Sequence, residues 1–190
     1  MTWRVNKKPG FVSNMLKRFS AMDLILIAAF AAVGIAIKPI VGPFFKMIST
    51  PLGIPGGSFG GGFYLMWMVL AMVIVDKAYT GTLFGIIQAI GVLVMGMSGN
   101  QGAVSLISYT LPGILADLLY LGLRHRKNLY VQMTLCAFAN ALGALLTGII
   151  IFKHPPIFLA GITGMALVSG IVGGILSFGI YKSIKELRII

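Results

Sequence analysis

The chain has 190 residues, of which 58% are hydrophobic and only 10% charged, and its mean hydropathy is +0.98. A water-soluble domain of this length carries roughly a quarter charged residues, so the composition excludes that class and indicates an integral membrane protein. The net charge of +11 would suit nucleic acid, but its placement along the chain reports membrane topology instead.

No sustained apolar/polar alternation marks a barrel, so helices are the expected way to satisfy the backbone in lipid. Residues 1–22 read as a basic cytoplasmic segment, with Arg4, Lys7, Lys8, Lys17 and Arg18, interrupted early by Pro9 and Gly10. The apolar run that follows is long enough to span, and no cleavable signal is expected. Asp23 heads this first span, where a carboxylate complements the helix dipole. Within 24–41, Ala28, Ala32 and Ala36 stand four residues apart and share one helix face. Small residues in such a row let helices approach closely in lipid, although alanine is also simply a good helix former.

The stretch 42–62 is expected to be the one long irregular segment. Pro43, Pro51, Pro55 and a glycine cluster oppose a regular helix. Phe44, Phe45, Met47, Ile48, Leu52 and Ile54 are nevertheless too apolar for a solvated loop, which points to a functional role. A second span covers about 63–75 and a third about 79–97, thinned by Gly81, Gly85 and Gly91. A polar turn at 98–102 precedes a fourth span at about 103–123, with Pro112 as a kink. A basic loop at 124–128 leads to a fifth span at 130–152. The sixth, 157–181, carries Gly170 and Gly174 as a close-packing pair, and residues 183–190 form a basic cytoplasmic tail.

The expected fold is therefore all-α, with six transmembrane helices in a binding domain at 23–182. Six spans put both termini on one side, and that side holds twelve of the fifteen lysines and arginines. Only Lys38, Lys46 and Lys153 fall opposite. The excess places both termini in the cytoplasm, makes the chain a multi-pass protein of the cell membrane surrounded by lipid, and leaves no role for nucleic acid.

Catalytic chemistry is sparse. The four acidic residues, Asp23, Asp76, Asp117 and Glu186, all fall near cytoplasmic ends, and ion-coupled carriers usually need a carboxylate at mid-membrane. There is no Walker A pattern, His125 and His154 lie on opposite sides, and Cys136 stands alone in an apolar run. No catalytic residue, cofactor or metal site is expected. What remains is a pocket at the outer face, built from Phe44, Phe45, Lys46, Tyr64, Trp67, Gln88, Met95, Asn100, Gln101 and His154, mostly apolar with a few polar groups. Each residue also has a plain alternative. Tyr64 and Trp67 would anchor a helix at the interface, and Gln88, like Asn140, would join helices. Lys46 and His154 would be solvated ends, and Asn100-Gln101 a turn.

Six helices, the Ala28-x-x-x-Ala32-x-x-x-Ala36 stripe, the long apolar segment after it, Gly99-Asn100, Gly113 and Ala116-Asp117 together resemble the substrate-binding S components of energy-coupling factor (ECF) vitamin transporters. The branch handling thiamine precursors is the most similar in layout. The resemblance implies that Ala28, Ala32 and Ala36 contact a membrane-embedded T component coupled to two ATPase subunits, and that 42–62 is a lid over the ligand. It implies high-affinity capture of a vitamin-like micronutrient at the outer face, with ATP hydrolysis in separate subunits. The absence of an outer acid, set beside Lys46 and Lys153, favours a neutral or anionic ligand, such as a biotin-like acid or a porphyrin. A stand-alone facilitator or channel, or a non-transporting assembly subunit, are the alternatives from other classes.

Overall fold

A computed structural model describes residues 18–52, 56–97, 99–123 and 126–187, with the side chains of 52 and 99–101 outside the described set. Among the described residues there are seven α-helices and no strand: α1 (Ala21–Ala36), α2 (Lys38–Ser49), α3 (Gly56–Val75), α4 (Thr80–Val94), α5 (Ser105–Gly122), α6 (Leu129–Ile150) and α7 (Pro156–Glu186). Short 3-10 turns, Thr50–Leu52 and Gly99–Val104, follow α2 and precede α5.

Four helices are long and apolar enough to cross a membrane: Gly56–Val75, Gly102–Gly122, Leu129–Ile150 and Pro156–Glu186. The pair α1 and α2, bent by 45° at their junction, makes a fifth if taken as one span. By length and composition the described chain thus holds four or five of the six expected spans. The shortfall is α4, whose 15 residues rise only about 22 Å against a hydrocarbon core of about 30 Å. Its end is set by Gly96, which adopts φ 64 and lets its own N–H donate to Leu93 (3.1 Å) while Met97 donates back to Val92 (2.9 Å). That paired arrangement closes a helix C-terminus and needs a left-handed residue after it.

The irregular segment expected at 42–62 is corrected by the structure: most of it is helical, in α2 and the first turns of α3. Proline acts there as a bend. Pro39, at the second position of α2, cannot donate an N–H and its ring opposes the carbonyl four residues back, so the first span breaks at Ile37 and resumes as α2. In lipid a new helix satisfies the backbone where a loop would not.

The middle of the bundle is α3, which touches α1, α2, α4, α6 and α7. Its stretch Met68 to Val73 is almost wholly enclosed, whereas α1 lies at the periphery. α7 runs antiparallel to α6, with Gly170 facing the backbone of Ala137 and Gly174 that of Met133. A side chain at either glycine would hold the two helices apart, which is the close packing their spacing predicts.

The acidic residues gather at one end. Ser20 and Asp23 cap α1 reciprocally, the Ser20 N–H donating to Asp23 (2.6 Å) and the Asp23 N–H to Ser20 Oγ (3.2 Å). Asp23 also pairs with Lys77. Asp76 pairs with Lys127 at 3.0 Å and accepts from the Tyr120 hydroxyl at 3.0 Å. Asp117, reaching over from α5, accepts from the backbone N–H groups of Gly81 (2.9 Å) and Thr82 (2.7 Å) and from the Thr82 hydroxyl (2.6 Å). It thereby supplies from a neighbouring helix the cap that α4 lacks in its own sequence.

Candidate functional site

A cavity of about 540 Å³ opens at the other end of the bundle, in the size range of small-molecule sites. Five helices line it. α2 contributes Lys38, Pro39, Gly42, Pro43 and Lys46, which recur at helical spacing and form one face. The opposite face of α2 carries Ile40, Phe44, Met47 and Ile48, all exposed. α2 is therefore amphipathic with its apolar side outward, as suits a helix between a cavity with polar groups and lipid. α3 supplies Ser58 and Tyr64, α4 supplies Gln88, α5 supplies Ser108, Tyr109 and Pro112, and α6 supplies Asn140 and Thr147.

The polar groups have identifiable surroundings. Lys38 Nζ lies 4.0 Å from the centroid of the Tyr109 ring and 5.9 Å from that of Tyr64, a cation held against aromatic faces. Nζ is buried and has no hydrogen-bond partner among the described residues, as is also true of Ser58 Oγ, Gln88 Nε2 and Ser108 Oγ. Asn140 donates to the Ala166 carbonyl at 2.8 Å, joining α6 to α7 while lining the cavity. Gln88 lies against Gly34 of α1, where any Cβ would collide with its amide. Pro112 leaves the carbonyl of Ser108 without its helical donor, so α5 is locally open where it borders the cavity.

Of the residues expected to form a pocket, Lys46, Tyr64 and Gln88 line this cavity, Lys46 with its side chain largely exposed. Phe45 stands just behind, its ring edge-on to Tyr64 at 6.4 Å, with Phe44 outside it at 5.9 Å. Three others lie elsewhere. Trp67 stacks on Phe30 of α1 at 6.4 Å, Met95 is 63% exposed, and His154 sits between Phe152 (5.4 Å) and Phe158 (5.2 Å) without lining the cavity. The side chains of Asn100 and Gln101 lie outside the described residues. Lys153 is exposed and does not line the cavity.

Lys38, which the sequence places only on the side opposite the termini, is the main lining residue absent from the expected pocket. The signal was present: an ionisable side chain followed by proline inside an apolar run marks a functional position in a membrane protein. Tyr109 and Ser108 were also missed, although Ser105, Ser108 and Tyr109 share one face of α5 by their spacing.

The alanine stripe has a defined orientation. Ala28, Ala32 and Ala36 are all exposed, while Ile27, Ala31, Gly34 and Ile35 form the inward face of α1. The stripe does not pack within the bundle.

The sequence model of a transporter family, described as the permease component of an ABC-type cobalt transport system, matches residues 22–145. No curated protein and no solved structure matches the chain.

Proposed function

Given that the chain belongs to this family of ABC-type cobalt transport permease components and is a multi-pass membrane protein, we propose that it is the substrate-capturing subunit of an ATP-driven importer. A small micronutrient, neutral or anionic, enters the cavity from the outer face. Separate subunits, a membrane-embedded T component and two ATPases, supply the energy and the inward step. The single observation that carries this reading is the cavity lined by the inner face of α2. Four of its side-chain polar atoms, on Lys38, Ser58, Gln88 and Ser108, lack partners within the described residues, as in a site whose hydrogen bonds are completed by a ligand.

The parts take roles accordingly. α2, hinged to α1 at Ile37 and followed by the short turn Thr50–Leu52, is the lid over the cavity. The exposed Ala28, Ala32 and Ala36 form the face on which the T component docks. Six spans with both termini inside keep the acid-bearing end cytoplasmic, in keeping with the lysine and arginine distribution. This chain would hydrolyse nothing itself.

Native mass spectrometry of the purified chain, followed by hydrogen exchange with and without the molecule that co-purifies, tests the reading. A bound small molecule that slows exchange selectively across α2 is expected. Uptake into liposomes lacking ATPase partners would instead make the protein a facilitator. Absence of any bound or bindable molecule would make it an assembly subunit.

A further inference from the structure

The polar lining of the cavity is one-sided in charge. Lys38 enters it from the head of α2, and Gln88, Ser58 and Ser108 reach it from three other helices. Four of the seven buried side-chain polar atoms without partners among the described residues belong to these four residues, so the unpaired groups gather at the cavity. Two hydroxyls, an amide nitrogen and an ammonium are all able to donate. No aspartate or glutamate among the described residues lines the cavity. Asp23, Asp76 and Asp117 are engaged at the opposite end with Lys77, with Lys127 and with the first turn of α4.

A buried amine holds its charge only where a counter-charge offsets its lost hydration, and aromatic faces compensate only part of that loss. Lys38 Nζ has the Tyr109 and Tyr64 rings beside it and no carboxylate in the same cavity.

We infer that the cargo supplies the missing counter-charge: the cavity takes a small organic anion, its carboxylate or comparable oxyanion bound at Lys38 and its apolar body set against Tyr64 and Tyr109. This deepens the capture reading and rests on it. A bare divalent cobalt ion is the wrong chemistry for the same space. Such an ion is held by imidazole, thiolate or carboxylate; among the described residues none of these lines the cavity and no three of them cluster. A protonated Lys38 would also repel it.

The test uses the full chain in lipid nanodiscs and reads its thermal stability. The probes are a dialysable extract of cellular metabolites split by anion exchange into anionic and non-anionic pools, inorganic phosphate alone, and cobalt(II) chloride alone. The anionic pool is expected to raise the melting temperature of the wild type and of Lys38→Arg. Lys38→Met should require about tenfold or more of that pool for the same shift, the loss expected for one charge-assisted hydrogen bond. Its melting temperature without additive reports whether it is folded, and Lys38→Gln replaces it if it is not. An equal response of the folded variant overturns the inference. So does stabilisation by the non-anionic pool, by phosphate alone or by cobalt(II) alone, and each of these leaves the capture reading standing. No stabilisation of the wild type by any probe overturns the capture reading itself.

Discussion

Neighbouring alanines on α1 offer a direct test of which face serves a partner. Ala31 and Ala32 point about 100° apart around the helix. Ala31 is 0% exposed and belongs to the cluster formed by Ile27, Val69 and Phe84, whereas Ala32 is exposed. Tryptophan at 31 must force an indole into filled space, and overpacking of this kind costs about 1–3 kcal/mol or more. Tryptophan at 32 meets nothing in the isolated chain, and an exposed substitution of that sort stays within about 0.5 kcal/mol. At roughly 2–4 °C per kcal/mol for a chain of this size, Ala31→Trp should melt several degrees below the wild type and Ala32→Trp within about 2 °C of it. The assay is thermal unfolding of both purified variants, paired with co-purification of the proposed T component and ATPases. Ala32→Trp should keep its fold and lose the partners, because a bulky group on a close-packed face holds the other helix away. Equal destabilisation by both substitutions would refute the assigned orientation of α1. A stable Ala32→Trp that still co-purifies with its partners would refute the docking role of the stripe.

Gly170→Ala should destabilise the bundle by about 1–3 kcal/mol, since the new Cβ meets the backbone of Ala137 on α6; a melting temperature within 1 °C of wild type would contradict that packing. Asp117→Asn should cost about 1–3 kcal/mol by weakening the bonds to Gly81, Thr82 N–H and the Thr82 hydroxyl, with faster hydrogen exchange confined at first to the start of α4. Lys77→Gln, by contrast, removes a partly exposed partner of Asp23 and should change stability by no more than about 1 kcal/mol. Gly34→Ala displaces only the flexible end of Gln88, so the fold should hold while the stabilisation by small metabolites falls; unchanged stabilisation would remove Gln88 from the site.

Hydropathy and local capping depend on residues close in the chain, and those features were legible before any coordinates. The membrane class, the all-helical build, the acidic helix start at Asp23, the close packing at Gly170 and Gly174 and the gathering of acids away from the cavity all follow from the sequence. The site was only partly legible. Lys46, Tyr64 and Gln88 line the cavity, yet Trp67, Met95 and His154 resemble them in composition and face elsewhere. Composition cannot say which way a side chain points when a helix is apolar on all sides, because no polar face fixes its rotation.

The segment 42–62 shows the same limit in the backbone. Read locally, its prolines and glycines oppose helix, and each interior glycine costs about 1 kcal/mol of helix propensity relative to alanine. In the folded chain Gly60, Gly61 and Gly62 lie against Phe45, Asn140 and Ser169, contacts from three separate helices that no local rule contains. Those contacts, and the need to satisfy every backbone group in lipid, override the local preference. Tertiary contacts of another kind decide the role of Lys38. The sequence marks it as an ionisable side chain beside a proline in an apolar run, and the arrival of Tyr64 and Tyr109 from α3 and α5 makes it the buried amine of a cavity.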